Sequence, residues 1–317
     1  MRVTVLNRVR VYRLLRDLIA ELRLTMALFF GAYAIYHASL PEHFSGLVVI
    51  GAMLLILAPL LRYFIRLARK PSGIYNKENA MLYIDHLTKA YGQKKAVDDL
   101  SLHIAPGEIY GFIGHNGAGK TTTLKSCAGI LRFDAGEIRI DGQDLKTNPL
   151  ECKRRIAYLP DNPDMYEYMS GIRFLNFIGD IFRVEPTVRR ERIHKYAEML
   201  GIQDDLAQPI SAFSHGMKQK LALVAAWIHE PRLILMDEPF VGLDPKAAHL
   251  LKELMHEHCD KGGAIFFSTH VLDVAEKLCD KVAIIKEGRL IASGSMDEVK
   301  GNASLEDVFL ELEDDHA

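Results

Sequence analysis

At 317 residues the chain has room for one large domain and a smaller segment, and it can bury a sizeable core. Its 39 Lys+Arg against 41 Asp+Glu leave a formal charge of −2, which argues against a nucleic-acid partner held by bulk basic charge. Four cysteines (Cys127, Cys152, Cys259, Cys279) form no Cys-x-x-Cys pair and no dense framework, which fits a reduced cytosolic setting for the soluble part.

The chain opens with a basic segment over residues 1–23, where six arginines stand against Asp17 and Glu21. Val11, Leu14, Leu15, Leu18, Ile19 and Leu22 recur at helical spacing with Arg8, Arg13, Arg16 and Arg23 on other faces. The pattern predicts an amphipathic helix lying on a lipid bilayer, with a helix packed on a domain as the alternative. Two apolar runs follow, Leu24–Leu40 and Gly46–Ile65, parted only by Pro41-Glu42-His43-Phe44-Ser45. Each approaches the ~20 residues needed to cross a bilayer, so residues 24–68 read as a two-helix transmembrane hairpin. Arg62, Arg66, Arg69 and Lys70 close the second run and the connecting loop has no Lys or Arg, which puts both ends of the hairpin on the cytoplasmic side of the cell membrane. The alternative is a hairpin that only dips into the bilayer, or two helices buried in a partner. Residues 69–80 turn polar and contain Pro71 and Gly73, as a linker does.

From Met81 the texture is that of an α/β domain. β-like runs stand at Met81–Leu87, Ala96–Ile104, Ile109–Ile113, Ile156–Leu159, Leu233–Met236, Ala264–Ser268 and Val282–Ile285, and helical patterns separate most of the later ones. That order predicts a largely parallel sheet, with the early runs forming a small antiparallel piece. Gly114-His115-Asn116-Gly117-Ala118-Gly119-Lys120-Thr121 matches G-x-x-x-x-G-K-[ST] between the run ending at Ile113 and a helix opening at Thr121. Glycines there let backbone N–H groups close around phosphate oxygens at a helix N-terminus. Lys120 supplies a point charge for the β- and γ-phosphates, and Thr121 a hydroxyl for Mg²⁺. The nucleotide site is expected over Gly114, His115, Asn116, Gly117, Ala118, Gly119, Lys120, Thr121 and Thr122. Leu233-Ile234-Leu235-Met236-Asp237-Glu238 reads as a buried strand that delivers two carboxylates to the sheet edge, Asp237 for the metal and Glu238 as general base.

Phe213-Ser214-His215-Gly216-Met217-Lys218-Gln219 stands 23 residues before Asp237 and opens an apolar helix. It resembles the signature of ATP-binding-cassette (ABC) ATPases, in a form frequent among the ATP-binding subunits of bacterial exporters. Gly242-Leu243-Asp244 resembles that family's D-loop, Ser268-Thr269-His270 its switch region, and Leu305-Glu306-Asp307-Val308-Phe309 the C-terminus of many exporter ATPases. The resemblance covers residues 81–317 and implies a P-loop NTPase fold: a RecA-like core, an antiparallel β subdomain and a helical subdomain near 162–230. It implies that Tyr91 stacks on adenine and that His270 contacts the γ-phosphate and the attacking water. It also implies that two chains sandwich two ATP head-to-tail, with Ser214 and Gly216 of one completing the Lys120 site of the other and Asp244 crossing between them. Two membrane helices per chain are too few to enclose a transport path, so a separate membrane permease is implied. Where the family's magnesium-binding Gln loop is expected, Ala157-Tyr158-Leu159-Pro160 is followed by Asp161, a harder ligand for Mg²⁺, and Asp161 is expected to take that role. The expected function is Mg²⁺-dependent ATP hydrolysis that drives export of a substrate. The rivals are a membrane-anchored regulatory ABC ATPase and a non-transport ABC protein. His256-Glu257-His258-Cys259 is read as part of a solvated helix rather than a metal cluster, and Cys127 as packing.

Overall fold

Two sheets organise the residues that the computed structural model describes, 77–301 and 303–314. The basic helix expected over 1–23, the hairpin over 24–68 and residues 69–76 of the linker lie outside the described residues. Among the described residues no helix is long and apolar enough to cross a membrane.

The first sheet is antiparallel. It joins β1 (Leu82–Tyr91), β2 (Lys94–Ile104), β4 (Ala135–Ile140) and β5 (Gln143–Asp144) in the order β2-β1-β4-β5. Its alternation is clean along β2, where Leu100, Leu102 and Ile104 are buried while Ser101 and His103 face solvent, as a sheet with one covered face requires. The second sheet joins β3 (Ile109–Ile113), β6 (Ile156–Leu159), β7 (Leu233–Asp237), β8 (Ala264–Thr269), β9 (Lys281–Lys286) and β10 (Arg289–Ser295). Its order is β10-β9-β3-β8-β7-β6, parallel throughout except that β10 runs against β9. β3, β7 and β8 are buried at every residue, because helices or the other sheet cover both faces.

Strands β4, β5 and β10 have no counterpart in the sequence-based expectation. β4 carries Glu137 and Arg139 between its apolar residues, and β10 reads Arg-Leu-Ile-Ala-Ser-Gly-Ser, so neither forms an apolar run. Pairing with β1 and β9 overrides their weak local signal.

One face of the parallel sheet presents Phe112, Leu235 and Phe266 toward the antiparallel sheet and toward Leu124 and Cys127 of α1 (Lys120–Cys127). Phe112 and Phe266 pack with ring centroids 5.2 Å apart. Cys127 is fully buried in this core, in line with a packing role. The short α2 (Pro149–Arg154) leads into β6. The opposite face, with Ile113, Met236 and Phe267, packs against α3 (Gly171–Ile181), α4 (Pro186–Leu200), α5 (His215–Ile228) and α6 (Pro245–Asp260). Each fully buried Leu, Ile or Phe in these two cores contributes about 1.5–3 kcal/mol relative to exposure. α7 (Leu272–Leu278), α8 (Met296–Lys300) and α9 (Leu305–Asp314) complete the described chain.

Along α6 the expectation of a solvated helix fails at its C-terminal end. Cys259 is buried, and His258 packs edge-on to Trp227 at 6.4 Å, where burial pushes its pKa down to about 4. The helix presents this edge to the core because Leu251, Leu254 and Met255 lie on the same stripe. No group of His, Cys, Asp and Glu residues among the described residues forms a metal cluster.

Candidate functional site

The register of the parallel sheet puts three strand ends side by side. Asp237 of β7 pairs with Ser268 of β8, and Ile113 of β3 pairs with Thr269. The loops that leave these strands therefore converge at the carboxyl edge, where open α/β sheets bind ligands.

The loop from Gly114 to Gly119 follows β3 and feeds α1. Its first and last glycines are there for space: a Cβ at Gly114 would stand 2.4 Å from the Ile285 carbonyl oxygen, and one at Gly119 2.3 Å from that of Ala96. Gly119 also holds φ at +113°, a region closed to L side chains, as it caps α1. The loop is closed by the Ala118 N–H donating to the His115 carbonyl at 3.1 Å, and Gly288 N–H donates to the Ala118 carbonyl at 2.9 Å. Lys120, 5% exposed, folds back so that Nζ donates to the carbonyls of Gly114 at 2.5 Å and His115 at 3.1 Å. Burial lowers its pKa while the charges of Glu238 and Asp237 oppose that shift.

Asp237 is 3% exposed and accepts a 2.5 Å hydrogen bond from Ser268 Oγ. Glu238 follows with φ +49°, a left-handed conformation that costs a non-glycine residue roughly 1–2 kcal/mol. Its N–H is shared between the carbonyl (3.2 Å) and hydroxyl (3.1 Å) oxygens of Ser268, which hold that conformation in place. Its carboxylate turns toward Lys120 Nζ, 3.8 Å from Oε1, and toward His270, whose N–H donates to Oε2 at 3.3 Å. His270 Nδ1 lies 3.0 Å from Oε1, yet Oε1 has no aligned donor. A buried carboxylate oxygen left without a donor is suited to accept one from a ligand or water.

A cavity of about 210 Å³ joins these groups. His115, Asn116, Gly117, Gly119, Lys120, Thr121 and Thr122 line one side, and Asp161, Asp237 and Glu238 the other. Gly114 and Ala118 are buried behind the loop, and His270 reaches the cavity through Glu238. Tyr91 is about half exposed at the end of β1, opposite Lys94, and is not part of the cavity wall, although Ala96 two residues further along β2 is. Ser214 and Gly216 also stand away from it. Ser214 caps α5 by accepting the Met217 N–H at 3.3 Å, and a Cβ on Gly216 would stand 2.9 Å from the Gly242 carbonyl oxygen. Asp244 caps α6 through the Ala247 N–H at 2.8 Å and pairs with Lys220 Nζ at 2.7 Å, a contact that holds its carboxyl below the usual range. Signature and D-loop are thus tied to each other within one chain.

Sequence reasoning missed Ser268. It named Ser268-Thr269-His270 for the histidine alone, whereas the Ser268 hydroxyl orients Asp237 and its oxygens hold the Glu238 backbone. The available signal was a lone serine closing the apolar run of β8.

A glycine-rich loop that ends in Lys-Thr at a helix N-terminus, facing a buried strand that ends in Asp-Glu, defines a P-loop nucleotide-binding ATPase. The ABC transporter family profile matches residues 97–241. An uncharacterized ABC transporter ATP-binding protein of Nostoc sp. is 38% identical over 64% of this chain, a stretch that spans 60% of that protein's length. The Nod factor export ATP-binding protein I of Paraburkholderia xenovorans is 36% identical over 68% of this chain and 71% of its own. The bacitracin transport ATP-binding protein BcrA of Bacillus licheniformis is 36% identical over 68% and 69%. Among solved structures, an ATP-binding subunit of an ABC transporter superposes with a TM-score of 0.71 at 34% identity, over 74% of this chain and 99% of that one. The chain belongs to the ABC transporter ATP-binding proteins, and its described residues form an ABC-type ATPase domain.

Proposed function

We propose that this chain is the ATP-hydrolysing subunit of an exporter, working on the cytoplasmic side of a membrane with a separate permease and a second copy of itself. The observation that carries the reading is the single cavity shared by Lys120, Thr121, Asp161, Asp237 and Glu238. Export is supported by the name of one relative, for Nod factor export, and transport by that of another, for bacitracin transport.

Mg²⁺ fits the donor set. The hydroxyl of Thr121 and the carboxylates of Asp161 and Asp237 are hard oxygen ligands on one cavity, and they would share the ion with phosphate oxygens and water rather than cage it. When bound, the ion neutralises charge that develops on the phosphate oxygens. The chain's own groups do the rest. Loop N–H groups and Lys120 hold the phosphates. Asp237 is kept oriented by Ser268. Glu238, with Oε1 open to a donor, accepts the proton of the attacking water, and His270 fixes the carboxylate from the side. Ser214 and Gly216 form a second anion site at the start of α5 for the nucleotide of a facing copy, consistent with their distance from this chain's own cavity.

Titration of the ATPase rate against Mg²⁺ tests the reading. The unmodified chain is expected to require Mg²⁺. Asp161→Ala should raise that requirement and slow turnover, and Asp161→Gln should restore much of both. An unchanged titration in Asp161→Ala removes Asp161 from the metal site. The proposed anchor rests on ten Lys and Arg residues, six ahead of the first apolar run and four that close the second (Arg62, Arg66, Arg69 and Lys70), against none in residues 41–45. A cysteine placed at Ser45 is expected to react with an impermeant thiol reagent in intact cells, while one at Ser72 stays unlabelled. The four native cysteines are buried, so background labelling is low. Reversed labelling, or protection at both positions, contradicts a spanning hairpin.

A further inference from the structure

The C-terminal helix α9 reaches the phosphate loop. Phe309, 7% exposed, sets its ring against the His115 imidazole with centroids 5.1 Å apart and planes at 65°, an edge-to-face arrangement that aromatic quadrupoles favour. His115 also lines the nucleotide cavity, so a single side chain meets both the phosphate site and α9. Elsewhere the loop is pinned by strands: Gly114 lies under the Ile285 carbonyl of β9, and Gly119 under the Ala96 carbonyl of β2. The stretch between those two points bulges into solvent at His115, Asn116 and Gly117. Phe309 supports that bulge.

α9 is itself firmly seated. Asp307 accepts from the Ser304 hydroxyl at 2.6 Å while its own N–H donates to Ser304 Oγ at 3.0 Å, which locks the first turn. Leu305 is fully buried, and its N–H donates to Glu276 Oε2 at 3.1 Å. Glu276 also pairs with Lys300 and stands on α7, the helix that begins two residues after His270. α9 therefore touches the phosphate loop through Phe309 and the helix behind the switch histidine through Leu305.

We infer that Phe309 is a positioning residue for nucleotide binding: it braces His115, and through it the exposed bend of the phosphate loop, so that α9 sets the affinity of the site. The inference rests on the reading of the cavity as the ATP site. Phe309 touches no reacting group, so its loss removes binding common to ground and transition states and leaves the chemical step alone.

The test is a set of variants of the 317-residue chain, with ATP affinity measured by calorimetry alongside kcat, KM and thermal melting. Phe309→Ala and Phe309→Leu are both expected to raise Kd and KM for ATP by about three- to tenfold, the worth of one aromatic pair. kcat should change by less than about twofold. Leu keeps most of the buried apolar volume, so Phe309→Leu reads the lost aromatic edge even where Phe309→Ala fails to fold. In a double-mutant cycle, His115→Ala with Phe309→Leu should bind ATP no more weakly than the weaker single variant, because both remove one contact. A Phe309→Leu variant that binds ATP as the unmodified chain does would overturn the inference, as would single effects that add in full. So would equal losses in kcat and melting temperature with KM unchanged, the mark of a merely structural residue. An unmodified chain that fails to bind ATP would overturn the function reading as well, an outcome distinct from all of these.

Discussion

Glu238→Gln is expected to bind ATP and to lose turnover by ~100-fold or more, the usual scale for removing a positioned general base. The substitution keeps the shape of the side chain. The backbone N–H still reaches Ser268, and the amide oxygen can still accept the His270 N–H, so the left-handed backbone at this position stays supported. What disappears is a basic oxygen: Oε1, buried and without an aligned donor, is the acceptor that a water's proton would meet. Binding should survive because the loop N–H groups and Lys120 are untouched. Measuring ATP affinity and single-turnover hydrolysis separates the two effects. A variant that keeps near-normal hydrolysis would show that Glu238 is not the base, and one that loses affinity along with turnover would place its role in binding.

Much of this site was legible in the sequence because its parts are local. Ile109–Ile113, the glycine loop and Lys120 are consecutive, and Leu233–Glu238 is one apolar run that ends in acids. Each motif carries its own chemistry, so no knowledge of pairing was needed to name it. The features that escaped are those created by packing between distant segments. Ser268 meets Asp237 only because β7 and β8 are neighbours in the sheet, 31 residues apart in the chain. Phe309 meets His115 across nearly the whole domain, and nothing in the spacing of either residue announces the contact. The burial of Cys259 and His258 had the same origin. The triplet His256-Glu257-His258 reads as polar, yet the stripe of Leu251, Leu254 and Met255 turns that helix edge inward. Strands β4 and β10 were hidden for a related reason, since partners rather than apolar runs hold them in their sheets.

Gly119→Ala is expected to abolish ATP binding and to lower thermal stability, and a comparison with Gly117→Ala shows why. Both glycines hold positive φ, +84° at Gly117 and +113° at Gly119, so an alanine at either site bears the backbone penalty. They differ in their surroundings. A Cβ at Gly117 has nothing within 4 Å, whereas one at Gly119 would lie 2.3 Å from the Ala96 carbonyl oxygen and 3.3 Å from Ile285 Cδ1. The first of these is backbone of β2 and cannot rotate away. To admit the methyl, either β2 must shift at Ala96 or the loop must open at the residue that caps α1, directly before Lys120. Opening the loop would disperse the N–H groups proposed to hold phosphate and move the lysine with them. Strain of this kind costs about 2–3 kcal/mol beyond the φ term. In a domain of this size that corresponds to a melting point lower by roughly 5–10 °C. Gly117→Ala should lose less, and the difference between the two melting curves isolates the contact with Ala96. If both variants melt together and Gly119→Ala still binds ATP, the close approach of β2 to the phosphate loop does not govern the site.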